Sequence, residues 1–445
     1  VRTRTRTSAR TAWQVTAGAA GLSLLVAACS SGGSGSSDDA TSEGTDGEQI
    51  TLTVATFNDF GYTDELLAEY TAENPNITVE HVKAARSEDA RANLTTKLAA
   101  GGAGLADIEG VEVDWLPELM QSSNLFLDMS DPAVEGRWSD WKVKQATTPE
   151  GTLFGYATDT GPEAICYRSD LFEAAGLPTD REEVAELLGG DDATWEDYFE
   201  VGRTFTAASD SAWFDSANAI YQGLVNQMEA AYEDTDGTPK DLAENEEVKA
   251  IYEQTLAAAV DDDLSAHVNQ WTPDWEAAFQ ADGFATMLCP AWMTGPIEER
   301  AGGVTGWDVA DVFPGGGGNW GGSFLSVPAS GEHTEEAKKL AEWLSRPETQ
   351  IKAFTNAGTF PSQVEAYEDE TLLSSTNEFF NDAPVGQIFS ERALNIDVAP
   401  YKGPNYFAIH TTVNDAITKV DVEQSADADS AWDGAVQAAK DLGIY

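Results

Sequence analysis

The chain has 445 residues, with 77 aspartates and glutamates against 25 lysines and arginines and a formal charge of −52. That length leaves room for two lobes with sizeable cores and excludes a single small module. So negative a surface excludes nucleic acid and anionic membrane surfaces as partners, because both are gripped by basic patches.

The chain opens with a secretory leader, residues 1–28. Arg2, Arg4, Arg6 and Arg10 form a basic head, an apolar stretch runs from Ala17 to Ala28, and small residues precede Cys29. About a dozen apolar residues fall short of the roughly 20 that cross a bilayer, so the stretch is not a lasting anchor. A cysteine after small residues resembles the bacterial lipobox, which implies cleavage before Cys29 and lipid on its thiol; an ordinary cleaved signal is the alternative. Residues 29–48 then form a lipidated, flexible tether. From Ser30 to Glu48 no apolar side chain is larger than that of Ala40, so the segment has nothing with which to build a core.

From Ile50 strand and helix patterns alternate. Ile50 to Thr56 reads as a strand, Asp64 to Glu73 as a helix stopped by Asn74-Pro75, and Ile77 to Val82 as a second strand. Ser87 is expected to cap a helix that ends at Gly101-Gly102, and Ala106 to Val113 supplies a third strand. This alternation predicts a parallel sheet flanked by helices. Helical stretches follow at Trp195 to Thr206, Glu246 to Val260 and Asp274 to Gln280, then a strand ending at Cys289. The glycine run from Gly315 to Gly318 lacks the Lys-Ser or Lys-Thr of a phosphate-binding loop and reads as a plain loop before a strand at Gly322 to Val327. Thr334 to Leu344 is a helix with Glu335 and Glu336 in its first turn, where the helix dipole favours acids.

The scattered acids read as solvated surface. Around Asp234 to Gly237 a calcium-loop pattern fails, since Tyr232 and Ala243 stand at its first and twelfth positions. His81, His267, His333 and His410 lack ligand spacing, so no metal or cofactor is expected. With Cys29 assigned to lipid, Cys166 and Cys289 remain in apolar strand-like runs, and outside the membrane they are expected to pair; two buried thiols are the alternative.

Four places combine irregular backbone with aromatic and polar side chains. The first strand runs into Asn58-Asp59-Phe60 and the third into Asp114-Trp115, and the carboxyl ends of parallel strands open into a ligand crevice. Asp59 and Asp114 can accept paired hydroxyl hydrogen bonds, with helix capping as the competing role. Trp292 and Tyr406 lie beside proline and glycine, and both read as cleft aromatics.

The stretch from Gly161 to Pro178 resembles the crossover strand and following tyrosine-to-aspartate motif of the family 1 extracellular solute-binding proteins of bacterial carbohydrate ABC transporters, a group related to maltose-binding protein. Trp292 falls where that family often places a tryptophan before a polar turn, and Asn356 to Ser362 resembles its glycine-to-proline signature near the hinge. The resemblance spans residues 49–445. It implies an α/β, two-lobed periplasmic-binding-protein-like fold with a hinge of several chain crossings. The first lobe would comprise residues 49–158 and 321–368, the second 159–320 and 369–445. The crossings would fall at Thr158 to Pro162, at Asn319 to Gly322, and between Pro361 and Leu372.

By position, Asp59, Asp114, Trp292 and Tyr406 match family ligand sites. Asn58, Phe60, Trp115, Asp159, Trp320 and Gly321 join them because they flank strand ends or crossings, although Asp159 also suits a turn acid bound to its own backbone. The function implied is capture of a sugar or oligosaccharide by a monomer at the extracellular face of the cell membrane. The solute would pass to ABC transporter permease subunits, without catalysis. An anchored glycoside hydrolase and a binder of a non-sugar solute are the alternatives.

Overall fold

The structure, a computed structural model, describes residues 49–396, 398 and 400–445. The expected leader, Cys29 and the tether lie outside the described residues. The strands are β1 (Ile50–Phe57), β2 (Ile77–Ala84), β3 (Ile108–Glu112), β4 (Tyr156–Ala157), β5 (Glu163–Arg168), β6 (Ala212–Phe214), β7 (Phe284–Pro290), β8 (Trp307–Ala310) and β9 (Ser323–Ser326). They form a five-stranded sheet, ordered β2-β1-β3-β9-β4, and a four-stranded sheet, ordered β6-β7-β5-β8. Each sheet is the spine of one lobe.

In the first lobe β1 lies parallel to β2 and β3, with Ile50 opposite Ile77 and Val54 opposite Ile108. Its Leu52 and Val54 are fully buried, as alternate side chains of a strand should be when one face meets the core. The connecting helix Asp64–Glu73 starts where the Thr63 side chain accepts from the Leu66 amide and ends where the Asn74 amide bonds Tyr70. In the next helix, Ser87–Ala99, Ser87 is the first residue rather than the cap, and Arg86 stands at the cap position without a side-chain capping hydrogen bond.

The sheet is not all parallel: β9 runs antiparallel beside β3, and β4 antiparallel beside β9. The departure follows from chain path, because β9 returns from the other lobe and enters the sheet from the end at which β3 leaves it. The second sheet is mixed too, with β5 antiparallel to β7 and β8 and only β6 parallel to β7.

Alternation along β5 serves two cores. Ile165 and Tyr167 belong to a cluster with Phe172, Tyr198 and Tyr406, while Ala164 and Cys166 face a second cluster with Met287, Cys289 and Phe389. Cys166 and Cys289 are joined by a disulfide between β5 and β7, with Cα atoms 5.4 Å apart.

The chain passes from β4 to β5 through residues 158–162, and from β8 back to β9 through residues 319–322. A third stretch, residues 358–363, follows the helix Pro347–Ala357 and runs alongside the first passage. Buried Asn319 ties the first two passages together. Its Oδ1 accepts from Thr160 Oγ1 at 2.7 Å and from the Gly161 amide at 2.9 Å, and its Nδ2 donates to the Gly321 carbonyl at 3.0 Å. The third is stitched to the first, as the Thr160 amide donates to the Phe360 carbonyl at 2.9 Å and Asp159 pairs with Pro361. Gly161 must be glycine at this crossing, because a Cβ would collide with the Trp320 carbonyl.

The disulfide spans 123 residues. Replacing both Cys166 and Cys289 by alanine is expected to cost about 4 to 5 kcal/mol in the chain-entropy view of cross-links. Denaturant unfolding of the double variant should show a lower midpoint than the oxidised protein, and reducing agent should then have no further effect on it.

Candidate functional site: the cleft between the lobes

The carboxyl end of β3 stands at the second passage, where Glu112 pairs with Ser323. The carboxyl end of β7 stands at the first, where Pro290 pairs with Glu163. Strand ends from both sheets thus converge where the chain changes lobes, the place at which open α/β sheets collect ligands.

On the first lobe's side, Asp114 follows β3 and its amide donates to Glu112 Oε2 at 2.8 Å. Its carboxylate is ion-paired with Lys402, which precedes the helix Tyr406–Asp421 packed into the second lobe's core. The pair therefore bridges the lobes. The two side chains are only 15 % and 5 % exposed, and the Lys402 ammonium also lies 4.9 Å from the centre of the Tyr406 ring. Burial opposes the Lys402 charge, but Asp114, Tyr406 and Glu112 together raise its pKa above the ordinary lysine value. Burial, then the neighbouring charge of Asp114, pushes Glu112 well above the usual carboxylate range. A second bridge sets the Arg91 guanidinium of the first lobe 4.4 Å from the centre of the Phe407 ring of the second.

The second lobe contributes an aromatic wall. Trp292, just beyond β7, donates from Nε1 to the Trp320 carbonyl at 2.8 Å, and its ring meets that of Trp320 nearly edge-on at 5.8 Å. Trp271 lies almost parallel to Trp292, with ring centres 6.2 Å apart, and the Arg300 guanidinium is 5.1 Å from Trp271. All three indoles are half-buried. Gly321, at φ +89°, keeps the strand path close to them, since a Cβ there would lie 3.2 Å from Trp292 Nε1. Loop 265–272 presents Trp271 and is held from below by Asp215, which accepts from Gln270 and from Trp275 Nε1 at 2.8 Å each.

The sequence-expected residues divide accordingly. Trp292, Trp320 and Gly321 come together in the wall, and Asp114 stands at the junction engaged with Lys402. Asp59 is exposed, and its two oxygens take the Gly61 amide at 2.9 Å and Lys83 at 3.0 Å, so it closes its own turn. Asn58, at φ +47°, starts that turn and donates from its amide to the Ala84 carbonyl at 3.0 Å.

Phe60 and Trp115 are buried rather than exposed at the strand ends, and Phe60 lines a small cavity with Thr158, Asp159 and Thr359. The two aromatics are 6 % and 2 % exposed in the first lobe's core, where Phe57 lies 5.0 Å from Phe60 and 6.0 Å from Trp115. Tyr406 is likewise 1 % exposed, stacked on His410 at 5.5 Å. Asp159 is buried, accepting from Thr158 Oγ1 at 2.7 Å and the Ser323 amide at 2.8 Å, which makes it a brace of the first two passages. Lys402, Trp271 and Glu112 are the side chains sequence reasoning passed over.

Asp114→Asn leaves the Lys402 ammonium buried without its counter-charge. It is expected to destabilise the protein by about 3 kcal/mol, the lower range for breaking a buried pair. Denaturant unfolding measures the loss, and Asp114→Asn combined with Lys402→Met should recover much of it.

Residues 65–381 match the family described as bacterial extracellular solute-binding protein. A crystal structure of an extracellular solute-binding protein of family 1 is 45% identical, covers 89% of this chain and 100% of its own, and superposes with a TM-score of 0.79. The ABC transporter associated binding protein from B. animalis subsp. lactis Bl-04, in complex with beta-1,6-galactobiose, is 18% identical over 89% of this chain and 97% of its own, with a TM-score of 0.72. Maltose-bound MalE3 of T. maritima is 17% identical over 88% and 100%, with a TM-score of 0.67. No match was found among curated proteins.

Proposed function

The chain belongs to the bacterial extracellular solute-binding proteins, and from that premise we propose that it is the carbohydrate-binding component of an ABC importer. It captures a sugar or oligosaccharide between its lobes and delivers it to membrane permease subunits. The observation that carries this reading is the half-buried Trp292, whose nitrogen is tied to the Trp320 carbonyl and whose ring stands at the junction that Asp114 and Glu112 reach from the other lobe. An indole face covers the apolar side of a pyranose, while carboxylates take its hydroxyl protons in charge-assisted hydrogen bonds. Solved relatives of the same fold that carry bound beta-1,6-galactobiose and maltose support the sugar class.

Capture works by closure. Contacts made only when both lobes meet the ligand stabilise the closed form, and the permease recognises that form. The Asp114–Lys402 pair already joins the lobes, so ligand hydroxyls bind by sharing Asp114 with Lys402. The reading assigns no catalysis to the cleft. It places the protein as a monomer at the extracellular face of the cell membrane, held by lipid on Cys29 through the tether at residues 29–48. Among the described residues no helix is long and apolar enough to cross a membrane.

Trp292→Ala is expected to weaken sugar binding by about 2 kcal/mol, as loss of an aromatic anchor does, with little change in melting temperature. Tyr406→Ala should instead lower stability by roughly 3 to 5 kcal/mol, because its ring is core. Calorimetry and thermal melts on both variants separate the two roles. An unstable Trp292→Ala that binds normally in its folded fraction would refute ligand stacking.

Cys29→Ser should move the protein from the membrane fraction to the medium. Retention of the variant in membranes would count against the lipid anchor.

A further inference from the structure

Lys142 lies on the short helix Asp140–Gln145, and the residue is 1 % exposed. Among the described residues no group accepts a hydrogen bond from its Nζ. The ammonium sits 4.6 Å from the centre of the Phe324 ring on β9 and presses on Gly322, where a Cβ would run into it. Gly322 ends the second passage, so a first-lobe side chain delivers its buried charge to the place where the chain changes lobes. The charged groups around it are Asp159, Glu112 and, from the second lobe, Lys402. Burial pulls the Lys142 pKa down to about 8, against the opposing attraction of Asp159 and Glu112.

A buried ammonium without a hydrogen-bond acceptor burdens the fold, and a side chain needed only to fill this space would cost less as methionine. A group that relieves it must offer a lone pair, yet the carboxyl groups of Glu112 and Asp159 alongside disfavour a second anion. A hydroxyl meets both conditions, accepting from the ammonium and donating to a carboxyl oxygen. We propose that Lys142 is a ligand-recognition residue whose Nζ donates to one hydroxyl of the captured carbohydrate while Glu112 accepts from a neighbouring one. This rests on the carbohydrate reading and adds to it a buried cation beside the second passage. The ligand class it selects is a neutral polyhydroxylated solute with adjacent hydroxyls, in preference to a sugar acid.

The test is calorimetry of the intact protein and of Lys142→Met against maltose, beta-1,6-galactobiose and a panel of other neutral oligosaccharides, with a thermal melt of each protein. The expected result is a melting temperature equal to or above wild type, with affinity for the bound sugar lowered roughly 10- to 150-fold, the range of one charge-assisted hydrogen bond. A variant that binds like wild type overturns the role of Lys142 and leaves the carbohydrate reading standing. A wild type that binds none of the sugars overturns both. Should Lys142→Met fail to fold, carbon-13 NMR of labelled lysine in the wild type decides: saturating sugar should raise the Lys142 pKa, and an unmoved titration overturns the assignment.

Discussion

The structure turns on how three stretches of chain are fastened to one another where the lobes meet. One amide side chain, Asn319, accepts from two successive residues of the first passage and donates back into its own. Ser362 and Gln350 add a second knot, since Ser362 Oγ and Gln350 Nε2 both donate to the Ala157 carbonyl, at 3.0 and 2.9 Å. Peptide groups crossing between two cores cannot all find sheet partners, and leaving them bare in a buried place is costly. Satisfying them locally gives a short, well-determined junction about which two rigid sheets can swing. Everything placed on the strand ends, from the indole wall to Asp114, takes its position from that junction.

The electrostatics of the junction is built on that geometry. Each buried charge there loses hydration, and in the Asp114–Lys402 pair one partner from each lobe meets the other at contact distance. Coulomb attraction at low effective dielectric offsets desolvation only at contact distance, so it vanishes as the lobes part and water enters. The lobes are thus held by an interaction that switches off steeply with separation. Lys142 sits on the first lobe alone and gains nothing comparable from closure, which is what makes its position distinctive.

Much of the scaffold was legible from pattern. Alternating β-branched residues marked β1, and the helix at Thr334–Leu344 was readable to the residue with the acidic first turn its dipole favours. The antiparallel course of β9 was not, because strand direction depends on which end of the sheet the returning chain reaches, and no local signal records that. The site was legible in part. Trp292 announced itself as an aromatic beside proline and glycine in a loop, and Trp320 as one at a chain crossing. Phe60 and Trp115 stood at strand ends and Tyr406 beside proline and glycine, yet each ring turned inward to fill a core immediately beside the strand or helix end, as aromatic side chains do by default. Lys402 was beyond the reach of local reasoning, since its partner lies 288 residues away on the other lobe.

The order of strands within the first sheet carries a consequence for how the protein comes into being. β9 lies between β3 and β4, so the sheet lacks an inner strand until residues 323–326 have been made. A chain made from its amino end therefore cannot finish its first lobe until nearly three-quarters of it has been synthesised, and until then β3 keeps an unpaired edge. The same arrangement leaves the emerging chain dependent on its own later sequence, or on a holding partner, to cover that edge.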